Sequence, residues 1–248
     1  MKILLTPLLA TLALNAATAQ TTFKLGVRGG VNRALTTVDP ASSTTGLNIY
    51  NRTADKAAIY AWQAGLVLDA AFGKFAVQPA LVFSQKGEKF STSVYYNGVG
   101  SGTSVSTNST NRYNWLEIPI NFVYTLHGDH GLQLFAGPYV AMGVGGRLAS
   151  TSYYAAPNVR YAPYDSDKQV TYGPDTNNRR FDAGLNFGLG YRQGPLQVQA
   201  GFGLGLVNLH QEIPSFDPGF SPLNSYNFYN DAAYNRVLQL TGAYFFSL

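Results

Sequence analysis

The side chains that could carry out chemistry are few in this sequence, and the first to consider are its three histidines. His210 is followed closely by Glu212, Ser215 and Asp217, which supply an acid and a hydroxyl nucleophile beside a base. Lipid hydrolases and acyltransferases need such groups within hydrogen-bonding reach of one another. A histidine at the end of a strand is more often an ordinary polar surface residue. We therefore expect no catalytic site, and an outer-membrane lipid-modifying enzyme is the alternative interpretation.

The remaining candidates for catalysis or cofactor binding are weaker. His127 and His130 fall in one short polar turn, and the sequence contains no cysteine, so no set of metal ligands is recognisable. Gly188 and Gly190 begin the spacing of a nucleotide-binding loop, but the rest of that spacing and the helix that should follow are missing. We therefore expect neither a metal nor another cofactor.

The N-terminal segment predicts export. A lysine at position 2 precedes an apolar stretch over 3–17, and Ala17 and Ala19 supply the small residues that a signal peptidase reads. We predict a signal peptide over 1–19 and a single domain over 20–248. The apolar stretch is too short for a transmembrane helix, and no other segment reaches the roughly 18 apolar residues that one requires.

Eight segments of the remaining chain alternate apolar with polar or small residues, which is the pattern of a strand with two different faces. Short turns follow the second, fourth and sixth segments. Long linkers rich in Ser, Thr, Asn, Gly and Tyr follow the others, over 34–57, 87–112, 147–180 and 210–234. The predicted strands are 22–33, 58–72, 75–86, 113–126, 132–146, 181–192, 196–209 and 235–248.

This order of connections predicts an all-β fold, an eight-stranded antiparallel transmembrane up-and-down β-barrel. Bacterial barrels have an even number of strands, short periplasmic turns and long extracellular loops. Charged residues are only 12% of the chain, which suits a wall in contact with outer-membrane lipids. The formal charge of +4 comes from scattered basic residues, so we expect no nucleic-acid partner. A soluble lipocalin-like carrier is the alternative fold.

The inward faces of the strands predict a filled lumen, because eight strands enclose only enough space for side chains. We expect two lumenal ion pairs, Lys24 with Asp69 and Lys86 with Glu117, and hence a plugged barrel rather than a large pore. Charged residues inside a membrane protein can also form a proton or solute path, which is the functional alternative. Inward glycines of the sixth and seventh strands should leave space for Phe135 and Tyr139.

Aromatic residues concentrate near both ends of the predicted strands, as expected of girdles at the two membrane interfaces. Three prolines, Pro79, Pro119 and Pro138, fall inside strands, where each removes a backbone donor, so we expect a local bulge at each. The predicted girdle residues are Tyr60, Trp62, Phe72, Phe75, Trp115, Tyr124, Tyr191, Tyr244 and Phe246.

The third and fourth linkers are rich in tyrosine among small polar residues, a composition typical of adaptable binding surfaces. Tyrosine stacking within an ordered loop explains the same composition, and we favour that explanation. The candidate binding residues are Tyr153, Tyr154, Tyr161, Tyr164, Tyr226 and Tyr229.

Seven stretches, among them QPALVFSQKGEK, WLEIPINFVY and NRVLQLTGAYFF, resemble the successive strands of PorT-like bacterial outer-membrane β-barrel proteins. The most specific are the Gln-Lys-Gly of the third strand, the Glu-Ile-Pro of the fourth and the closing Tyr-Phe-Phe. The resemblance implies a barrel in the bacterial outer membrane with a structural or interaction role. Because the founding member is associated with a secretion system, it also implies an extracellular or secretion-system protein as a partner. The stretches are FKLGVRGGVN, QPALVFSQKGEK, WLEIPINFVY, LFAGPYV, FDAGLNFGLGY, GLGLVNL and NRVLQLTGAYFF.

Overall fold

A computed structural model describes residues 21–38, 50–96, 102–128, 130–173, 176, 178–210 and 232–247. The predicted signal peptide, 1–19, lies outside these residues. None of the described segments is a helix of the length and apolarity needed to cross a membrane. The strands are β1 (Thr22–Val38), β2 (Tyr50–Phe72), β3 (Phe75–Tyr96), β4 (Thr103–Thr125), β5 (His130–Ala156), β6 (Val159–Arg160), β7 (Tyr164–Gln169), β8 (Phe181–Gln193), β9 (Leu196–Gly205) and β10 (Ala233–Ser247).

Eight of these strands form a closed antiparallel ring. Each of β1 to β5 pairs with the next, β5 pairs with β8, and β8, β9 and β10 follow in order. The ring closes because β10 also pairs with β1, where Lys24 lies opposite Ser247 and Val38 lies opposite Ala233. The short strands β6 and β7 pair with β5 and stand outside the ring. The predicted eight-stranded antiparallel barrel is confirmed.

The wall of the barrel has an apolar outer face and a mostly polar inner face. In β5, Leu132 and Leu134 are 64% and 57% exposed, whereas the alternate residues Gln133 and Phe135 are buried. The other ring strands alternate in the same way, as in β4, where Ile118 is exposed and Glu117 is buried. An outer face this apolar is stable against lipid chains but would be costly in water.

Strands β2 to β5 continue well beyond the predicted barrel. Residues 50–58 of β2, 88–96 of β3, 103–112 of β4 and 147–156 of β5 pair with one another, and β7 adds a further strand. We call these five segments the extension sheet. Much of the linkers 34–57, 87–112 and 147–180 is therefore strand rather than loop. Their Thr, Val and Tyr residues favour strands once a neighbouring strand supplies hydrogen-bond partners.

The three prolines sit in the wall without bulges, so the prediction of a bulge at each was wrong. The β3–β4 register is the same on both sides of the gap between the pairs Pro79–Ile120 and Val82–Glu117. Pro138 pairs with Leu185 in an unbroken β5–β8 ladder. Each strand has two neighbours, so a missing N–H interrupts one ladder while the other maintains the register.

The bulges lie instead where the barrel meets the extension sheet. One falls between Ala58 and Gln63 in the β2–β3 ladder, and another falls between Asn114 and Trp115 in the β4–β5 ladder. Gly146, with a φ of 158°, lies next to the second bulge, and a Cβ atom there would meet Val170 Cγ2 at 2.8 Å. Bulges increase the local twist, so they turn the extension sheet relative to the barrel wall.

The lumen is filled by side chains. A Cβ atom added at Gly188 or Gly201 would lie 2.9 or 2.7 Å from the ring of Phe135, and one at Gly184 would lie 2.7 Å from that of Tyr139. The prediction that these two aromatic rings occupy the space left by the glycines is confirmed. A cavity of about 10 Å³ remains in the middle of the lumen, enough for roughly one water molecule.

Candidate functional site

At the short-turn end, the lumen is sealed by an ion pair different from the predicted one. Lys24 is the register partner of Asp69, yet the Asp69 carboxylate binds Arg192 across the lumen, with Nη1 2.7 Å from Oδ2. Gln78 donates a hydrogen bond of 2.9 Å to the other carboxylate oxygen. The predicted Lys24–Asp69 pair is therefore wrong: the planar guanidinium comes from β8 on the far wall and also covers the Phe245 ring at 4.7 Å.

Near the loop end, the structure brings the second predicted pair together. Lys86 Nζ lies 2.6 Å from Glu117 Oε1, and both side chains are almost fully buried. The Lys86 ammonium also lies 4.8 Å from the centre of the Tyr139 ring. The Tyr139 hydroxyl donates a hydrogen bond of 2.9 Å to Asp182, which also accepts one of 2.8 Å from Asn235. These contacts connect opposite walls of the barrel and block a continuous channel.

Eight of the nine predicted girdle residues are compatible with an outward position. Tyr60, at 73% exposed, and Trp62 face outward near the loop end, while Phe75 and Tyr244 are among those at the short-turn end. The ring centre of Phe75 lies 5.1 Å from that of Tyr124, and Trp62 stacks on Phe83. The remaining outward or half-buried members are Phe72, Tyr124, Tyr191 and Phe246.

Trp115 is not a girdle residue, and this prediction was wrong. It is 2% exposed and packs with Tyr139 and Ala141 inside the barrel. The alternation of β4 requires this, since Leu116 and Ile118 face outward and their odd-numbered neighbours face inward. Trp115 forms part of the floor of a chamber at the loop end.

This chamber has a volume of about 620 Å³ and lies between the extension sheet and the opposite rim of the barrel. We call it the loop-end chamber. Residues that are opposite one another on successive strands form rows across the inner face of the sheet. The row nearest the floor consists of Glu88, Asn111, Leu148 and Lys168. The next row runs through Phe90, Ser109, Ser150 and Ser166 in the same way. The chamber is in the size range of ligand-binding pockets.

The floor of the loop-end chamber combines aromatic rings with polar atoms that lack partners. The Trp115 ring meets the Tyr172 ring edge to face, with their centres 6.2 Å apart. Asn111 donates a hydrogen bond of 2.8 Å to Glu88 Oε1. Thr36 Oγ1, Glu88 Oε2 and Trp115 Nε1 are buried and have no hydrogen-bond partner. Burial raises the pKa of Tyr172 to about 12, so this hydroxyl is neutral at physiological pH.

His210, the candidate catalytic base, lines the same chamber at the rim opposite the sheet, and its backbone N–H binds Asn208 Oδ1. Its proposed partners Glu212, Ser215 and Asp217 lie outside the described residues. His127 and His130 stack on each other at the short-turn end, far along the barrel from His210. Within the described ranges, no group of three His, Asp or Glu side chains could hold a metal ion.

The predicted tyrosine surface is only partly described. Tyr154 lines the loop-end chamber, and Tyr153, Tyr161 and Tyr164 are about half exposed near the end of the extension sheet. Tyr226 and Tyr229 lie outside the described residues. The described tyrosines thus lie at one end of the molecule, and their role in binding stays a prediction.

The outer face of the extension sheet is charged and open to solvent. The guanidinium of Arg147 binds both carboxylate oxygens of Asp167, with Nε 2.8 Å from Oδ1. These hydrogen bonds hold the pKa of Asp167 below its ordinary value. Thr151 donates a further hydrogen bond of 2.7 Å to Asp165. This face is therefore chemically distinct from the inner face, where Glu88 is the one described carboxylate lining the chamber.

Thr36, Glu88, Lys168 and Arg179 line the chamber but are not among the residues predicted from the sequence, because they fall in segments predicted to be linkers. A usable signal was present in residues 103–115. Their odd-numbered members Val105, Tyr113 and Trp115 share one face if the segment is extended.

Comparison with known proteins agrees with the architecture. A family model described as outer membrane protein beta-barrel domain matches residues 7–211, which is most of the chain. No curated protein matches the chain. The matched family places the protein in the bacterial outer membrane, with the apolar outer face of the barrel toward lipid. The PorT-like subtype stays a prediction. By its closed ring of eight strands and by this match, the chain belongs to the outer membrane protein beta-barrel domain family.

Proposed function

We propose that the protein is a non-conducting outer-membrane barrel that binds a ligand at its loop end, with the barrel serving as a sealed anchor. The observation that carries the proposal is a chamber of about 620 Å³ above a lumen whose cavity is only about 10 Å³. A diffusion pore needs the opposite arrangement, an open lumen. Sites for small ligands are concave, lined by aromatic side chains and equipped with a few polar groups, as this chamber is.

We further propose that the loop end faces the cell exterior and that the protein acts by binding rather than by catalysis. Short periplasmic turns and long external loops are usual in bacterial barrels, which supports this orientation. His210 alone is a weak basis for an enzyme, because catalysis needs an oriented nucleophile and acid as well. A secretion-system protein, if it is the partner, would meet the same end of the barrel.

Thiol labelling can test occupancy and orientation together, because the native chain has no cysteine. Thr107 lines the chamber, and its neighbour Asn108 points to the other face of the same strand. In intact cells, a membrane-impermeant maleimide should label Asn108→Cys quickly and Thr107→Cys slowly. In the purified protein, the Thr107→Cys rate should rise toward that of Asn108→Cys as bound ligand is lost.

Two results would contradict the proposal. If Asn108→Cys reacts only after the outer membrane is permeabilised, the loop end faces the periplasm. If the purified protein gives large, steady conductance in planar bilayers, the lumen is open and the anchor model fails. The Arg192→Met variant is a useful comparison in bilayers, because it removes one side chain from the seal and should raise conductance only slightly.

A further inference from the structure

The unpartnered polar atoms on the chamber floor indicate what a ligand must offer. Glu88 Oε2 can only accept a hydrogen bond, Trp115 Nε1 can only donate one, and the Thr36 hydroxyl can do both. All three side chains are at least nine-tenths buried. Leaving a buried polar atom without a hydrogen bond is unfavourable, so a ligand with donors and acceptors on adjacent atoms would be favoured here. Neighbouring hydroxyl groups have this property.

The charges around the chamber favour an anionic ligand. Lys56, Lys168 and Arg179 line it, whereas Glu88 is the single carboxylate among the described lining residues. Lys168 and Arg179 are both exposed, and Lys168 belongs to the same row as Glu88. Three strand spacings separate Glu88 from Lys168, about 14 Å between backbones. Their side chains can therefore reach opposite ends of one small molecule.

The walls of the chamber favour a ring with apolar faces and polar edges. The half-buried rings of Tyr172 and Phe90 supply aromatic surface, and the sheet supplies hydroxyl and amide groups from Ser109, Ser150 and Asn111. A fatty acyl chain would leave the Glu88 carboxylate and the Trp115 indole N–H unsatisfied. A quaternary ammonium ligand would suit the aromatic rings but not the three cationic side chains.

We propose that the loop-end chamber binds an acidic sugar, with its hydroxyl groups at Glu88, Thr36 and Trp115 and its carboxylate or phosphate group toward Lys168 and Arg179. This inference rests on the proposed function and names the ligand class of the same site. The half-buried rings of Tyr172 and Phe90 contact the C–H face of the sugar ring.

The test is isothermal titration calorimetry of the full chain in detergent micelles with probes that share one ring but differ in charge. Glucuronate, glucose and glucosamine vary the charge from negative to positive, and glucose 6-phosphate separates a phosphate from a carboxylate. We expect glucuronate or glucose 6-phosphate to bind roughly tenfold more tightly than glucose, since one ion-assisted hydrogen bond is worth about 1.5–3 kcal/mol. Glucosamine should bind most weakly, and salt should weaken the anionic ligands selectively.

Two variants separate the two ends of the site. Lys168→Gln should weaken the acidic probes roughly tenfold and leave glucose unchanged, whereas Glu88→Gln should weaken acidic and neutral probes alike. Lys89→Gln is the matched control for Lys168→Gln, because it removes the same charge from the outer face of the same sheet. Lys168 is exposed, so its variant tests the proposal even if Glu88→Gln fails to fold.

Three outcomes would overturn the acidic-sugar assignment: no binding of any probe, neither glucuronate nor glucose 6-phosphate binding more tightly than glucose, or an equal loss in Lys89→Gln and Lys168→Gln. If Thr107→Cys is nevertheless protected in intact cells, the chamber binds a ligand of another class and the proposed function survives. The proposed function itself is wrong if the barrel conducts ions, or if Thr107→Cys is labelled in intact cells as quickly as Asn108→Cys.

Discussion

Arg192, rather than Lys24, should be the residue whose loss destabilises the short-turn end of the barrel. The Asp69 carboxylate is fully buried, and Arg192 is its ion-pair partner at 2.7 Å. Removing one partner of a buried pair costs about 3–5 kcal/mol, because the other charge is left uncompensated. Gln78 still binds the carboxylate in Arg192→Met, so we expect a loss of about 3 kcal/mol. Lys24 is half-buried, and Lys24→Met should cost less than about 1 kcal/mol.

The assay is equilibrium unfolding in urea of protein refolded into micelles, followed by tryptophan emission. For a slope near 3 kcal/mol/M, a loss of about 3 kcal/mol lowers the midpoint by about 1 M. The double variant Arg192→Met with Asp69→Leu should recover most of the loss, because removing both charges leaves no isolated ion in the lumen.

Two results would refute this reasoning. If Lys24→Met destabilises the barrel as much as Arg192→Met, the ion pair follows the β1–β2 register after all. If the double variant is no more stable than Arg192→Met alone, the cost comes from lost packing against Phe245 rather than from the unpaired Asp69 carboxylate.

Three further predictions concern the filled lumen, the inward tryptophan and the exposed sheet. Gly201→Leu should lower the free energy of unfolding by about 1–3 kcal/mol, because the new side chain collides with Phe135. In the same assay, the double variant with Phe135→Ala should lose less stability than the sum of the two single losses. Brominated lipids should quench the emission of Trp62 but not that of Trp115, measured in variants that keep one tryptophan each; equal quenching would contradict the inward position. Since its pKa is lowered in the folded state, Asp167 stabilises the sheet above the ordinary carboxyl pKa of 3.8, and this contribution should disappear as pH falls through the lowered value. An NMR titration of its carboxyl carbon checks this, and an ordinary pKa would be the contrary result.

The sequence predicts the membrane part of the fold well because the constraint there is simple. Lipid on one side and a narrow lumen on the other impose strict alternation, so segments such as 181–192 predict both strand and facing. The Lys86–Glu117 pair follows from two neighbouring strands and from the depth of both residues near the loop end, although the register pairs Lys86 with Tyr113 and Glu117 with Val82. Phe135 and the glycines of β8 and β9 follow from the limited volume of an eight-stranded lumen.

Contacts between side chains on opposite walls of the lumen cannot be predicted from the alternation within a strand or from the pairing of neighbouring strands. Asp69 has Lys24 directly opposite in the neighbouring strand, but Arg192 reaches it from the far wall because the lumen is narrow and the guanidinium is long. The extension sheet was missed for a related reason. Residues 87–96 and 103–112 are too polar for a burial pattern to predict strands, and they form strands because backbone pairing continues beyond the barrel.

The extension sheet has a consequence for how neighbouring copies meet. A closed ring has no unpaired strand, but among the described strands the extension leaves open edges in water at residues 50–58 of β2 and at β7. Exposed edges invite a second chain to add its own strand. Charged side chains occupy both: Asp55 and Lys56 on one, Asp165, Asp167 and Lys168 on the other. In the proposed orientation these charged edges would face the cell exterior, where they would keep neighbouring copies from joining edge to edge.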